Sequence, residues 1–189
     1  MISYFRPHLI FFLFSLTILF GRNYASFAGG FLRMGSSARS MAMGSGFTAE
    51  IDASFAAYHN PAAMVFLNKR QLGFSHHFLP LDRRFMAANL SAPLPPSASV
   101  GLAWVSAGVD KIDGRSIAGE HTQYLSTSED AFFISFAQKI LPWFSVGLNI
   151  KILNHQLPMN TMNIAGKGMG MDFGVFIHSE SGPNLAFMV

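Results

Sequence analysis

Trp143-Phe144-Ser145-Val146-Gly147-Leu148-Asn149-Ile150-Lys151-Ile152-Leu153 keeps a strict repeat of two. The even positions from Phe144 to Ile152 are all apolar, and Ser145, Gly147, Asn149 and Lys151 fall between them. An amphipathic helix would need apolar residues three and four apart, so this run reads as a strand with one apolar and one polar face. Met169, Met171, Phe173, Val175 and Ile177 repeat the pattern against Gly168, Gly170, Asp172 and Gly174, with Phe176 the exception. Weaker versions cover residues 71–78, 84–92, 99–107 and 131–139, which makes six strands, and residues 184–189 begin a seventh.

Composition says what the apolar faces meet. The 189-residue chain is 50% hydrophobic and only 12% charged, roughly half the usual ~25% charged share of a soluble domain. Beyond the first thirty residues no apolar run reaches the ~18 positions of a membrane helix. Short alternating segments, 20 Phe and 17 Gly suit a lipid-facing sheet instead. The expectation is an all-β fold, an antiparallel transmembrane β-barrel. Phe144, Val146, Leu148 and Ile150 would meet lipid, while Asn149, Lys151 and Asp172 would face the lumen. Lys151 and Asp172, on adjoining strands and the same face, are expected to form an ion pair. Connection lengths point the same way, since outer-membrane barrels alternate short turns with long external loops. Residues 93–98, 141–142 and 179–183 read as short turns, residues 108–130 and 154–167 as long loops, and only the link at 79–83 breaks the rule.

The formal charge of +3 is small, and no Lys/Arg cluster is interleaved with stacking aromatics, which argues against nucleic acid as a partner. Zero cysteines exclude disulfides, a Cys-based zinc site and a thiol nucleophile. His76 and His77 are adjacent on a strand and point to opposite faces, so they cannot share a metal. Gly166-Lys167-Gly168-Met169-Gly170 lacks the Ser/Thr and following helix of a phosphate loop, and glycines inside a strand mark close backbone approach or bending. Gly73-Phe74-Ser75-His76-His77 is not a nucleophile elbow. Asp113, Glu120, Glu129 and Asp130 read as solvated loop charges. No catalytic residue, cofactor or metal ligand is assigned.

Residues 1–28 read as an export signal, with Arg6 and His8 before an apolar stretch from Leu9 to Phe20 and small residues at the cleavage options Ala25 and Ser26-Phe27-Ala28. Residues 29–69 are expected to form a plug and residues 70–189 the barrel. Within the plug, Asn60-Pro61 forces a turn, because proline fixes its own φ and pushes its neighbour out of the helical region. Met34, Met41 and Met43 offer flexible thioethers that could line a path for an apolar ligand.

Phe31-Leu32-Arg33-Met34-Gly35, Ala38-Arg39-Ser40-Met41-Ala42-Met43-Gly44, Asp52-Ala53-Ser54 and Tyr58-His59-Asn60-Pro61-Ala62 together resemble the amino-terminal segment of the PorV/PorQ family, barrels similar to the FadL fatty-acid channels. That pattern runs FLRMG, ARxxxMGxAFTA and DDASAxYxNPAGL. Here Ile51-Asp52 stands for the paired aspartates and Ala63-Met64 for Gly-Leu, and the likeness continues more weakly to about Gly174. The resemblance implies a FadL-like barrel in the outer membrane, contacting lipid. It further implies work in type IX secretion with secretion-system and cargo proteins, or, alternatively, uptake of hydrophobic compounds. Asp52, Tyr58, Asn60 and Pro61 are expected to hold the plug against the wall; a plain turn at a helix end is the competing reading of Asn60-Pro61. A soluble all-β binding module is a further alternative, in which the apolar faces pair with each other. Because family members are longer and a barrel must close, the chain is expected to be the amino-terminal half of one, cut by a frameshift, a split gene or an incomplete gene model.

Overall fold

A computed structural model describes residues 29–51, 54–159 and 162–189. The expected export signal and Asp52 lie outside these residues. Seven strands form one sheet in simple sequence order, every neighbouring pair antiparallel: β1 Gln71–Phe78, β2 Arg83–Leu94, β3 Ala98–Arg115, β4 His121–Leu141, β5 Phe144–Met159, β6 Met162–Ile177 and β7 Leu185–Met188. The sheet curls into an open half-barrel. A single six-residue 3₁₀ helix, Pro61–Phe66, touches strands β2 to β6. Those strands span about 19 Å if laid flat, whereas such a helix is only about 12 Å long, so the wall has to bend around it.

Period-two alternation orders both faces. On the outer face, register aligns apolar residues into rows that run across the strands. Phe74, Ala88, Trp104, Phe132, Ile152 and Met169 form one row over β1–β6, and Leu72, Leu90, Leu102, Ile134, Ile150 and Met171 form the next. Ala92, Val100, Phe136, Leu148 and Phe173 follow; the next row, Leu94, Ala98, Gln138, Val146 and Val175, is apolar apart from Gln138, and Phe144 pairs with Ile177 at the far end. In the opposite direction the change is abrupt. The row beyond Phe74 and Met169 reads His76, Met86, Ser106, Asp130, Asn154 and Lys167, polar apart from Met86. Phe132, Ile134 and Phe136 remain about half exposed, so nothing among the described residues covers this band.

On the inner face small, polar and large apolar residues all meet the plug. Phe85, Val105 and Phe133 are buried against Phe31 and Phe55, while Ala137 packs with Ala57, Met64 and Leu67. The core is therefore wall against plug rather than sheet against sheet.

Two expectations are corrected. Residues 108–130 and 154–167 are not long loops: β3 and β4 stay paired out to Arg115 and His121, and β5 and β6 pair out to Met159 and Met162. The ladder carries on where polar residues fall on both faces, and there the regular alternation that marks a strand disappears from the sequence. A register shift between Val109 and Ile112, with Lys111 at φ 52, bends β3 at the start of this extension. Consequently Asp113, Glu129 and Asp130 are strand residues rather than loop charges. Among the described residues no helix is long and apolar enough to cross a membrane, which leaves open what the strands do.

Candidate functional site

The plug is a chain of short helical pieces, and its irregular backbone needs partners from elsewhere. It comprises a 3₁₀ turn at Gly30–Met34, a helical turn at Ala38–Ala42 capped by Ser37, a second turn at Ala56–His59 and the 3₁₀ helix at Pro61–Phe66. Each end leaves backbone groups without an internal bond. Four inward side chains of the wall meet four of the carbonyls. Asn89 donates to Ser54 O, Asn149 Nδ2 to Ala57 O at 2.9 Å, Ser145 Oγ to Ala62 O at 2.7 Å and Ser99 Oγ to Met64 O at 2.9 Å. All four anchors are almost fully buried.

Asn60 is the central node. It closes the Ala56–His59 turn and opens the Pro61–Phe66 helix, where proline is favoured at the first position because its missing N–H would be unpaired anyway. Its Oδ1 accepts from Ala62 N at 3.0 Å, the capping bond expected of asparagine. Its Nδ2 donates to Thr48 O at 3.1 Å and to Val175 O at 3.3 Å, tying the plug both to itself and to β6, 115 positions away. Pro61 lies against β5. Tyr58 donates its phenol to Leu32 O and packs edge-on against Phe133 of β4, with ring centroids 5.4 Å apart.

Glycines on the wall make this approach possible. A Cβ on Gly147 would strike Pro61 and Ala62, and one on Gly174 would strike Asn60 Oδ1. On Gly101 it would stand 2.8 Å from Ala57 Cβ, and on Gly73 2.9 Å from Ser54 Cβ. By contrast, Gly166, Gly168 and Gly170 would meet nothing closer than 3.7 Å, so of the two expected readings of the Gly166–Gly170 run, close backbone approach or bending, the first is not met.

Of the inward residues expected from sequence, Asn149 touches the plug directly. Lys151 Nζ lies 2.6 Å from Asp172 Oδ2, a charge contact rather than an aligned hydrogen bond, and also sits over the Phe133 ring at 5.7 Å. The side chain of Asn60 instead bonds Thr48, Val175 and Ala62. His76 and His77 do point to opposite faces: His76 stacks on Phe78, and His77 Nε2 is 2.9 Å from Ser75 Oγ. Asn89, Ser99 and Ser145 escaped sequence reasoning as anchors, although each is a polar residue on the inward parity of its strand.

Burial also sets charge states in the plug. It raises the Tyr58 phenol above its ordinary value and pushes the His59 imidazole down to about 4. His59 is therefore neutral at physiological pH, with Nε2 2.8 Å from Ser36 Oγ and its ring between those of Phe47 and Tyr58. Beside the plug, Met34, Leu79, Val109, Arg83 and Glu129 line a cavity of about 190 Å³. Met41 and Met43 are roughly half exposed and lie outside that lining.

Among the described residues no group of three or more His, Cys, Asp or Glu side chains could hold a metal ion. Comparison with models of known protein families, with curated proteins and with solved structures finds no match to this chain. What the geometry itself defines is a half-barrel wall clamping an irregular segment through backbone hydrogen bonds and glycine clearances.

Proposed function

We propose that the protein is a non-enzymatic outer-membrane β-barrel protein of the PorV/PorQ type, exported through a cleaved leader, that acts in type IX secretion by receiving cargo and passing it toward the cell surface. The observation that carries the membrane part is the aligned outer band. From Ile152 to Phe144 it covers eight residue steps of β5, about 27 Å along the strand and about 20 Å of thickness at the usual tilt, close to the ~25 Å apolar band of outer-membrane barrels. Its sharp upper edge at Ser106, Asp130, Asn154 and Lys167 is what a hydrocarbon boundary would require. The polar extensions of β3–β6 would then stand outside the membrane. The secretion part rests on the resemblance of the FLRMG, ARSMAMG and YHNPA blocks, with secretion-system and cargo proteins as partners beside outer-membrane lipid.

Fractionation of cells expressing the full chain tests the first part, and recovery in the soluble periplasmic fraction without detergent would overturn it. Deleting the gene in its own host tests the second. Cargo held in the periplasm supports the secretion role; cargo delivered normally refutes it. A FadL-like uptake role is the second reading, favoured by the cavity between Met34, Leu79 and Val109. It predicts slower entry of a hydrophobic compound in the deletion strain with cargo delivery intact.

A further inference from the structure

Two cavities follow one another along the outer face. The lower is an apolar groove of about 380 Å³ around Ala88, walled by Leu72, Leu90, Leu102, Trp104 and Phe132. Ala88 is the smallest side chain in its apolar row, so the groove is a gap in that row. The upper cavity, of about 440 Å³, has Arg84 as its one charged lining residue, beside Ser126, Ser128 and Gln156. Arg84, Gly108, Ser128 and Gln156 are register partners across β2–β5, two rows beyond the Trp104–Phe132 row. That separation is about 13 Å along the strands. Between the two, Trp104 Nε1 donates to Asp130 Oδ1 at 3.2 Å, turning the polar edge of the indole toward the upper cavity.

Arg84 is held in place. A Cβ on Gly108 would lie 2.9 Å from an Arg84 guanidinium nitrogen, so the missing side chain lets Arg84 lie flat across β3, where its head pairs with Asp110. Lys167, in the polar row below, has no ion pair among the described residues.

The geometry points to a specific phospholipid site on this face, with one acyl chain in the Ala88 groove and the lipid phosphate at Arg84. This inference rests on the membrane reading, since acyl chains reach the groove only if the outer band lies in a bilayer. An apolar groove leading within about 13 Å to a cavity that sets one cation, hydroxyls and an amide beside Leu157, Ile164 and Ala165 suits an amphiphile whose head accepts hydrogen bonds. Guanidinium binds phosphate with short, charge-assisted and often bidentate bonds. Ser128 and Gln156 add neutral donors. Asp110 is about as exposed as Arg84 and can keep one guanidinium nitrogen while the phosphate takes the others.

Trp143→Phe leaves Trp104 as the single tryptophan, a reporter built into the groove wall. The protein would be reconstituted in uncharged digalactosyl-diacylglycerol vesicles. These would contain equal mole fractions of either phosphatidylglycerol or diacylglycerol with brominated acyl chains, and quenching of Trp104 would be read. Brominated phosphatidylglycerol should quench at least about threefold more effectively, a modest preference for one charge-assisted contact at an exposed site. Arg84→Gln should abolish that preference and the milder Ser128→Ala should lower it. Ala88→Leu should fill the groove and weaken quenching by both lipids. Equal quenching by the two brominated lipids would overturn the site while leaving the membrane reading intact. No quenching by either, with protein recovered free of vesicles, would overturn the membrane reading itself.

Discussion

Gly174 has no side chain at the point where Asn60 places its carboxamide oxygen, and a Cβ there would overlap Asn60 Oδ1. The plug and β6 therefore share one contact volume. Asn60 fills it from the plug side, donating to Val175 O beside the glycine.

Gly174→Ala should push Asn60 off β6 and destabilise the docked plug by about 1–3 kcal/mol, the usual cost of overpacking. Gly147→Ala should behave alike, because its Cβ would meet the rigid backbone of Pro61 and Ala62. Gly168→Ala, with 3.7 Å to its nearest neighbour, should change little. Thermal unfolding and the rate of proteolysis within residues 29–66 measure the difference, and equal effects at all three positions would refute the clearance argument.

Asn60→Ala removes one capping bond and two bonds to carbonyls, leaving buried groups without their side-chain partner. At roughly 1 kcal/mol or more for each, the plug should lose about 2–4 kcal/mol of docking stability while the wall stays folded. Faster plug cleavage together with greater leakage of small apolar probes is the expected result in the membrane-inserted protein. Unchanged permeability with normal assembly would reduce Asn60 to scaffolding.

Acid should loosen the plug through His59. Its folded pKa, about 4, lies below the ordinary 6.5, so above pH 6.5 it is neutral in both states and its burial costs nothing in charge. As pH falls from 6.5 toward 4 the undocked segment binds the proton first, and stability declines with slope set by that difference, by at most about 3 kcal/mol below pH 4. His59→Gln should flatten this part of the pH profile of plug proteolysis. A profile identical to the parent would place the sensitivity elsewhere.

Charge scanning of the outer face tests the register. Leu148→Lys and Phe136→Lys fall in the middle of the apolar band and should each cost about 2–4 kcal/mol on insertion into a bilayer. Asn154→Lys, at the polar edge, should cost about 0–1 kcal/mol. Reversible unfolding in vesicles measures these costs, and equal tolerance at the three sites would mean that the band does not lie in lipid.

The strand cores were legible because each has one face against the plug and one apolar face turned outward, which writes period two into Phe144–Ile152 and Met169–Ile177. The outer parts of β3–β6 were not. In 121–130, His-Thr-Gln-Tyr-Leu-Ser-Thr-Ser-Glu-Asp, both faces carry mostly polar residues, so the ladder leaves no alternation to read. The Asn60-Pro61 turn could be read from local chemistry, since proline and a capping asparagine act on their immediate neighbours. Its partners could not, because Val175 and Gly174 become adjacent only when the sheet curls. The same holds for Ser99 and Ser145: inward parity announces a polar residue on the inner face, but only the folded path of the plug tells which carbonyl each one meets.

Asn89, Ser99, Ser145 and Asn149 all grip main-chain oxygens. A carbonyl oxygen is common to every amino acid, so the wall recognises the trace of the inserted segment and is indifferent to most of its chemical letters. Ala57 is constrained in size by Gly101 opposite and Ala62 by its burial beside Phe176, but neither in the bond it offers. Over evolutionary time such a clamp permits drift in the clamped segment while penalising any insertion or deletion that shifts the oxygens out of phase with the strands.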